Sequence, residues 1–340
     1  MEQQQQHYKE GIFRGMIRVI SPTELVTFAF VALVLILTSI FRDGLDVAGI
    51  LLNATILLGS VAVVNIIRAR IDTKAVRMLH TFYILAVAIV IFKTVEKLSF
   101  NLHGRDYDNI LITVDRMLFG GANPTVWLYE HIPAMPLFVE FLQLCYFMYY
   151  LLPVILAIEF YRRRRRENRD VHKIDEIETL RFVVIYGLLT SYIGYLILPA
   201  IGPRFTLHDF WAISKELPGV YFTEPLRWFT NLAENIRDGM TNLQAAQAVT
   251  RDAFPSGHTE TTLLCIILAF RYRARLRWVI LIIGSGLIFS TVYLRYHYVI
   301  DVIGGSLFAV VTLYTSGPVM QFLLRLKRNI LKRIPKKLEQ

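Results

Sequence analysis

The sequence predicts an all-α, polytopic membrane bundle of about eight transmembrane helices, and three observations carry that fold class. Apolar residues make up 54% of the 340 residues and charged residues only 19%, against about 25% charged in a soluble domain. The apolar residues gather into runs close to the ~20 residues that one bilayer crossing needs. Finally, most of the 37 basic residues fall into alternate connecting segments, the pattern of cytoplasmic loops.

The first run covers 24–41. Ser21-Pro22-Thr23-Glu24 precedes it and reads as an N-cap, a proline at the first helical position and a capping glutamate. It ends in Ile40-Phe41-Arg42 without a small-residue cleavage site, so it is expected to be an anchor and not a signal peptide. Further spans are expected at 47–67, 79–98, 136–160, 180–200, 258–271, 278–294 and 298–316. With the N-terminus inside, the cytoplasmic segments hold Lys9, Arg14 and Arg18, then Arg68, Arg70, Lys74 and Arg77. They also hold Arg162–Arg166, Arg169, Lys173 and Arg181, the four arginines of 271–277, and the basic residues of 325–337. Both termini are therefore expected in the cytoplasm, and the Arg162–Arg166 run also suits anionic headgroups. The net charge of +10 follows from this asymmetry and does not call for nucleic acid, since no nucleic-acid motif accompanies it. Cys145 and Cys265 lie inside apolar runs and read as small buried hydrophobes. Gln3–Gln6 is the one low-complexity stretch, and there is no internal repeat.

Two outer segments, 99–135 and 201–257, are too polar to span the membrane and too aromatic to be plain linkers. Phe205, Phe210, Trp211, Tyr221, Phe222, Trp228 and Phe229 predict short helices at the interface. Such helices serve either as a roof over a lipid site or as structural packing.

Three stretches share the outer membrane depth: Gly202-Pro203-Arg204-Phe205, Phe254-Pro255-Ser256-Gly257-His258-Thr259-Glu260, and Tyr293 through Asp301. A proline–serine–glycine turn opening a helix offers free backbone N–H groups and the positive dipole end to an anion. That makes Ser256 and Gly257 a candidate phosphate cradle, with His258 within reach. His297 and Asp301 are four apart, which on a helix is one face. There the carboxylate would hold one ring N–H and leave the other nitrogen free as a nucleophile or base. Arg204 and Arg295 offer planar donors to phosphate oxygens. Each piece has an ordinary structural reading: helix capping, a chance His-x-x-x-Asp, a snorkelling arginine. Their joint placement at one depth makes a functional site the better reading.

These stretches resemble the signature of the type 2 phosphatidic acid phosphatase superfamily, which also includes soluble vanadium haloperoxidases. The resemblance covers about 79–316, leaving 1–78 as a tail with two added helices and 317–340 as a basic cytoplasmic tail. It implies that His297 is a nucleophile forming phosphohistidine, that Asp301 orients it, and that His258 protonates the leaving oxygen. There are departures. Gly202-Pro203-Arg204 stands where the family has Lys-x6-Arg-Pro, and Ser290-Thr291 where it has Ser-Arg. Tyr293-Leu294, His297-Tyr298, Asp301 and Gly304-Gly305 are more similar to the inositol phosphorylceramide synthase branch. So is Asp115-Arg116-Met117-Leu118-Phe119-Gly120 with Pro124 and Trp127.

The expected function is phosphoryl transfer from a lipid phosphate on the non-cytoplasmic face of a bacterial cytoplasmic membrane, first of all as a lipid phosphatase. A phosphotransferase that delivers to a lipid or polyol hydroxyl is the alternative, and an anion or lipid transporter a distant one. No cofactor is expected, and too few carboxylates and histidines share the site for a two-metal phosphatase. The expected partners are the lipid phosphate and membrane lipids. The sequence leaves the oligomeric state open.

Overall fold

Every apolar run of the sequence is helical in the computed structural model, which describes residues 12–71, 73–166 and 176–334. Gln3–Gln6, Lys9, Arg169, Lys173, Lys336 and Lys337 lie outside the described residues. The N-terminal part is α1 (Ile12–Val19), α2 (Pro22–Ile40), α3 (Val47–Arg70) and α4 (Lys74–His103). Two short helices follow, α5 (Asp108–Leu118) and α6 (Pro124–His131). A broken pair, α7 (Pro136–Phe147) and α8 (Leu152–Arg166), then leads to α9 (Glu176–Ile197). The segment 201–257 contains α10 (Pro203–Thr206), α11 (Ile213–Glu216), α12 (Thr223–Ala233) and α13 (Asn242–Ala248). The chain closes with α14 (Gly257–Arg271), α15 (Arg277–Tyr293) and α16 (Val299–Arg333).

Among the described residues, five helices are long and apolar enough to cross a membrane: α2, α3, α4, α9 and α16. The broken pair makes a sixth if it counts as one span. The protein is thus a multi-pass helical membrane bundle, and three of the eight expected spans are shorter or more bent than a regular crossing helix. The run at 136–160 bends by 56° around Met148–Tyr150. Pro153, in the first turn of α8, has no N–H to donate back across the break. The runs at 258–271 and 278–294 form helices of 15 and 17 residues. At 1.5 Å per residue they rise about 22 and 25 Å, less than the ~30 Å hydrocarbon core. The last helix also runs past 316 to Arg333 with Pro318 inside it, so the start of the expected tail is helical. Met320 and Leu323 pack against Phe182 there, and Lys327 Nζ donates to Ile20 O at 2.6 Å. These contacts hold the helix through the hydrogen bond that proline removes.

One core joins α2, α3, α4 and α9, and a second joins α8, α9, α14, α15 and α16. Chain alternation collects the loops 104–135, 198–256 and 294–298 at one end of the bundle. Ile71, Thr73 and the loop 272–276 lie at the other, with both described ends of the chain. A third core, which includes Val139, Phe210, Ile213, Leu217, Val249 and Tyr296, roofs the first end. The interfacial aromatics divide accordingly. Phe205 and Phe210 stack in this roof, whereas Tyr221, Phe222, Trp228 and Phe229 are exposed. The expected capping box of α2 forms, with the Ser21 side chain on Glu24 N and the Glu24 side chain on Ser21 N. Cys145 and Cys265 are buried free thiols.

Candidate active site

The end of α15 shapes the site. The turn after Tyr293 places Arg295 at φ 68° and folds back so that Tyr296 N and His297 N both donate to Thr291 O at 2.9 Å. His297 therefore lies outside the helix. Tyr298 is the N-cap of α16, and the Asp301 carboxylate reaches back to accept from Tyr298 N at 2.8 Å. The same oxygen lies 3.3 Å from His297 Nδ1. The expected pair forms through capping geometry and not through a shared helical face. Ala253 O lies 2.9 Å from His297 Nδ1 as well. A carbonyl and a carboxylate only accept, so Nδ1 carries the ring proton and Nε2 keeps its lone pair.

His297 Nε2 faces His258 Nδ1 at 3.2 Å. His258, in the first turn of α14, is held by rings. Tyr146 stacks on it at 4.7 Å and 23°, and Tyr149 leans on it at 4.2 Å. Tyr146 also stacks on Tyr296 at 4.0 Å and 10°, and the Arg204 guanidinium lies 4.6 Å from the Tyr296 ring. Arginine, two tyrosines and histidine thus form one continuous stack. It fixes the Arg204 guanidinium and the His258 ring by flat, rigid faces. Arg204 donates to Glu234 at 3.3 Å and to Asn231 Oδ1 at 2.6 Å.

A cavity of about 30 Å³ connects these groups, lined by Arg204, Glu234, Asp252, His258, Tyr296 and His297 among others. A small-molecule site usually offers about 300–1,000 Å³, so the side chains close the site on themselves. Burial pulls His297 down to about 4, against the opposing pull of Asp252 and the Ala253 carbonyl. Burial likewise pushes Glu234 up to about 7, opposed by Arg204. It raises Asp252 too, opposed by the Thr250 hydroxyl at 2.5 Å. Among the described residues no group of three or more His, Cys, Asp or Glu side chains is arranged to hold a metal.

Three of the sequence-derived site residues, Arg204, His258 and His297, line the cavity, Asp301 holds His297 from behind it, and the other three are engaged elsewhere. The Ser256 hydroxyl caps α14, accepting from Thr259 N at 3.2 Å and Thr259 Oγ1 at 3.0 Å. A Cβ on Gly257 would come within 2.4 Å of the Tyr195 hydroxyl, so this glycine serves close helix packing. The Arg295 side chain is fully buried, pairs with Glu216 and lies 4.4 Å from the Tyr129 ring. Glu260 turns away as well, to Ser191, Thr190 and Thr312. The sequence reading missed Tyr146, Tyr149, Asn231 and Glu234, which carry no local signature. It named Asp115 only within a stretch of family resemblance, without a role. Asp115 accepts from Val299 N at 2.9 Å and Ile300 N at 2.7 Å, fixing the start of α16 beside His297.

No curated protein matches the sequence, and no solved structure matches it. The family model of the PAP2 superfamily matches residues 109–315. That stretch is more than half of the chain and runs from α5 into the first half of α16, with the facing histidines and the cap that holds them. The chain belongs to the PAP2 superfamily, and with it to a group of phosphatase-type phosphoryl-transfer proteins.

Proposed function

We propose that this protein transfers a phosphoryl group from a membrane lipid phosphate through a covalent intermediate on His297. The observation that carries the proposal is the His258–His297 contact, with the proton of His297 held on its far side by Ala253 O and Asp301. In the first step His297 Nε2 attacks phosphorus and a P–N bond forms. The P–O bond to the leaving group breaks, and His258 supplies the proton that the departing oxygen takes. In the second step an incoming hydroxyl loses its proton to His258 and displaces the histidine. Arg204 and the free N–H groups of the first turn of α14 hold the phosphate oxygens. Arg295, committed to Glu216, has no part in this scheme.

Water as the second-step acceptor makes the protein a lipid phosphatase. A lipid or polyol hydroxyl makes it a phosphotransferase, and the resemblance of 115–120 and 293–305 to the inositol phosphorylceramide synthase branch supports that second reading. The crowding of basic residues at the opposite end of the bundle supports an active site on the outer face, with both termini inside. The test is diacylglycerol release from lipid phosphates by detergent-purified protein in excess chelator. We expect chelator-resistant turnover that falls more than about a thousandfold in His297→Ala. Turnover that survives in that variant refutes the intermediate. For sidedness, a cysteine-free protein carrying Tyr221→Cys is expected to label from outside, and one carrying Arg273→Cys only after permeabilisation.

A further inference from the structure

A phosphate pocket lined by two carboxyl groups is chemically odd. Glu234 and Asp252 share the cavity with His258, His297 and Arg204, the one cationic side chain among the cavity-lining residues named above. Glu234 also holds one guanidinium nitrogen of Arg204 at 3.3 Å, while Asn231, from the same end of α12, holds another at 2.6 Å. Arg204 is 6% exposed and wedged against Phe210 and Tyr296, so it cannot swing to a new partner. An incoming phosphate must share this guanidinium with Glu234. Its five N–H donors allow such sharing, because Glu234 and Asn231 take only two of them.

Charge decides which phosphates can share it. At neutral pH a phosphomonoester carries about −1.5 to −2, because its second pKa is about 6. A phosphodiester lacks that second ionisation and carries a single negative charge. In a buried pocket each additional negative charge is felt more strongly than in water. A dianion beside Glu234 and Asp252 either repels them or forces them to take up protons. Burial already raises both carboxyl groups, Glu234 to about 7, so this pocket is poor at holding the negative charge it has. A monoanion instead can use the free edge of Arg204 with the Glu234 contact intact.

We infer that Glu234 and Asp252 determine specificity as a charge filter, admitting singly charged lipid phosphodiesters and disfavouring dianionic monoesters. The inference rests on the proposed histidine chemistry. For a diester the steps balance in the same way. The P–N bond to His297 forms as the P–O bond to diacylglycerol breaks, and diacylglycerol takes the proton from His258. Water or a hydroxyl then displaces His297 and returns a proton to His258.

The test compares diacylglycerol release from phosphatidylmethanol, a diester, and from phosphatidic acid, a monoester, at pH 7.5 with the full-length protein in detergent. Wild-type kcat/KM is expected to favour phosphatidylmethanol by about tenfold or more. The near-isosteric Glu234→Gln and Asp252→Asn are expected to narrow that ratio, chiefly by lowering KM for phosphatidic acid. A wild-type preference for phosphatidic acid overturns the filter while leaving the histidine chemistry intact, and this ranking requires no variant. A ratio that neither substitution changes also overturns it. If neither lipid shows turnover that depends on His297, the underlying phosphoryl-transfer reading fails and the filter falls with it.

Discussion

His297 is oriented by two acceptors on one ring nitrogen, Ala253 O and Asp301, and this has a consequence that can be measured. In Asp301→Asn the amide N–H₂ would face the Nδ1–H, favouring the wrong tautomer. The oxygen that caps Tyr298 N is the one beside Nδ1, so this orientation also gives up the cap. We expect kcat to fall by about 10²–10⁴ with the fold retained, read by steady-state kinetics alongside thermal unfolding. The pH profile offers a second check. An imidazole is a nucleophile only when unprotonated, and burial holds His297 at about 4. The acid limb that belongs to His297 should therefore appear near pH 4, below the ordinary value of about 6.5. A limb at 6.5 that persists in Glu234→Gln would contradict this assignment. The tyrosine stack makes a third prediction. Tyr146→Phe keeps the ring between His258 and Tyr296 and should retain most activity, whereas Tyr146→Ala frees both rings and should cost about 10–100-fold. Of these residues only His258, His297 and Asp301 were legible as a constellation. Tyr146 and Glu234 sit in ordinary-looking helical sequence, and only the chain path brings them in.

At the scale of elements, the site is set by helix starts. α14 opens with the Ser256 cap, and Ser256 N also donates to Asp301 O at 3.0 Å, tying the starts of α14 and α16 together. Gly305 makes this approach possible, since a Cβ there would lie 2.3 Å from Ser256 O. Asp115 completes the arrangement from α5, holding Val299 N and Ile300 N as a cap in trans. Asp115→Ala is expected to cost about 1–2 kcal/mol of stability, the usual value of a lost cap. Because α16 carries Asp301, activity should fall as well; an unchanged melting temperature and kcat would refute the role. The capping box of α2 and the proline–serine turn were readable because their partners lie within a few residues. The break at Met148–Tyr150 and the continuation of α16 through Pro318 were not. In each case neighbouring helices decide whether proline breaks or merely dents a helix.

At the scale of the whole molecule, α2 and α3 are fastened to α4 and α9 by a buried polar knot. Glu24 accepts from Ser21 N and Asn65 Nδ2, each at 2.6 Å, and from Tyr83, while Arg181 Nη2 donates to Ser21 Oγ at 2.7 Å. These residues come from α2, α3, α4 and α9 and the turn before α2, at the end of the bundle opposite the site. Removing the carboxylate in Glu24→Ala would leave Asn65, Tyr83 and Ser21 without their shared partner in a buried region. We expect a loss of about 3–5 kcal/mol, as for other buried pairs broken on one side. Thermal unfolding in detergent measures it, and a change below 1 kcal/mol would show that α2 and α3 are held by apolar packing alone.

The sequence by itself determined the lipid-soluble helical class, the apolar runs that become helices, the opposite charge of the two ends, and the His258, His297 and Asp301 constellation. Each of these rests on local composition, on spacing within a few residues, or on the depth at which a run begins. Only the tertiary structure decided which arginine faces the histidines, that Ser256 and Gly257 serve helix capping and packing, and that two carboxyl groups share the pocket. Those outcomes depend on contacts between residues far apart in the chain. Whether Arg204 or Arg295 meets the site is set by Glu234 and Glu216, partners that no local pattern in the sequence couples to them.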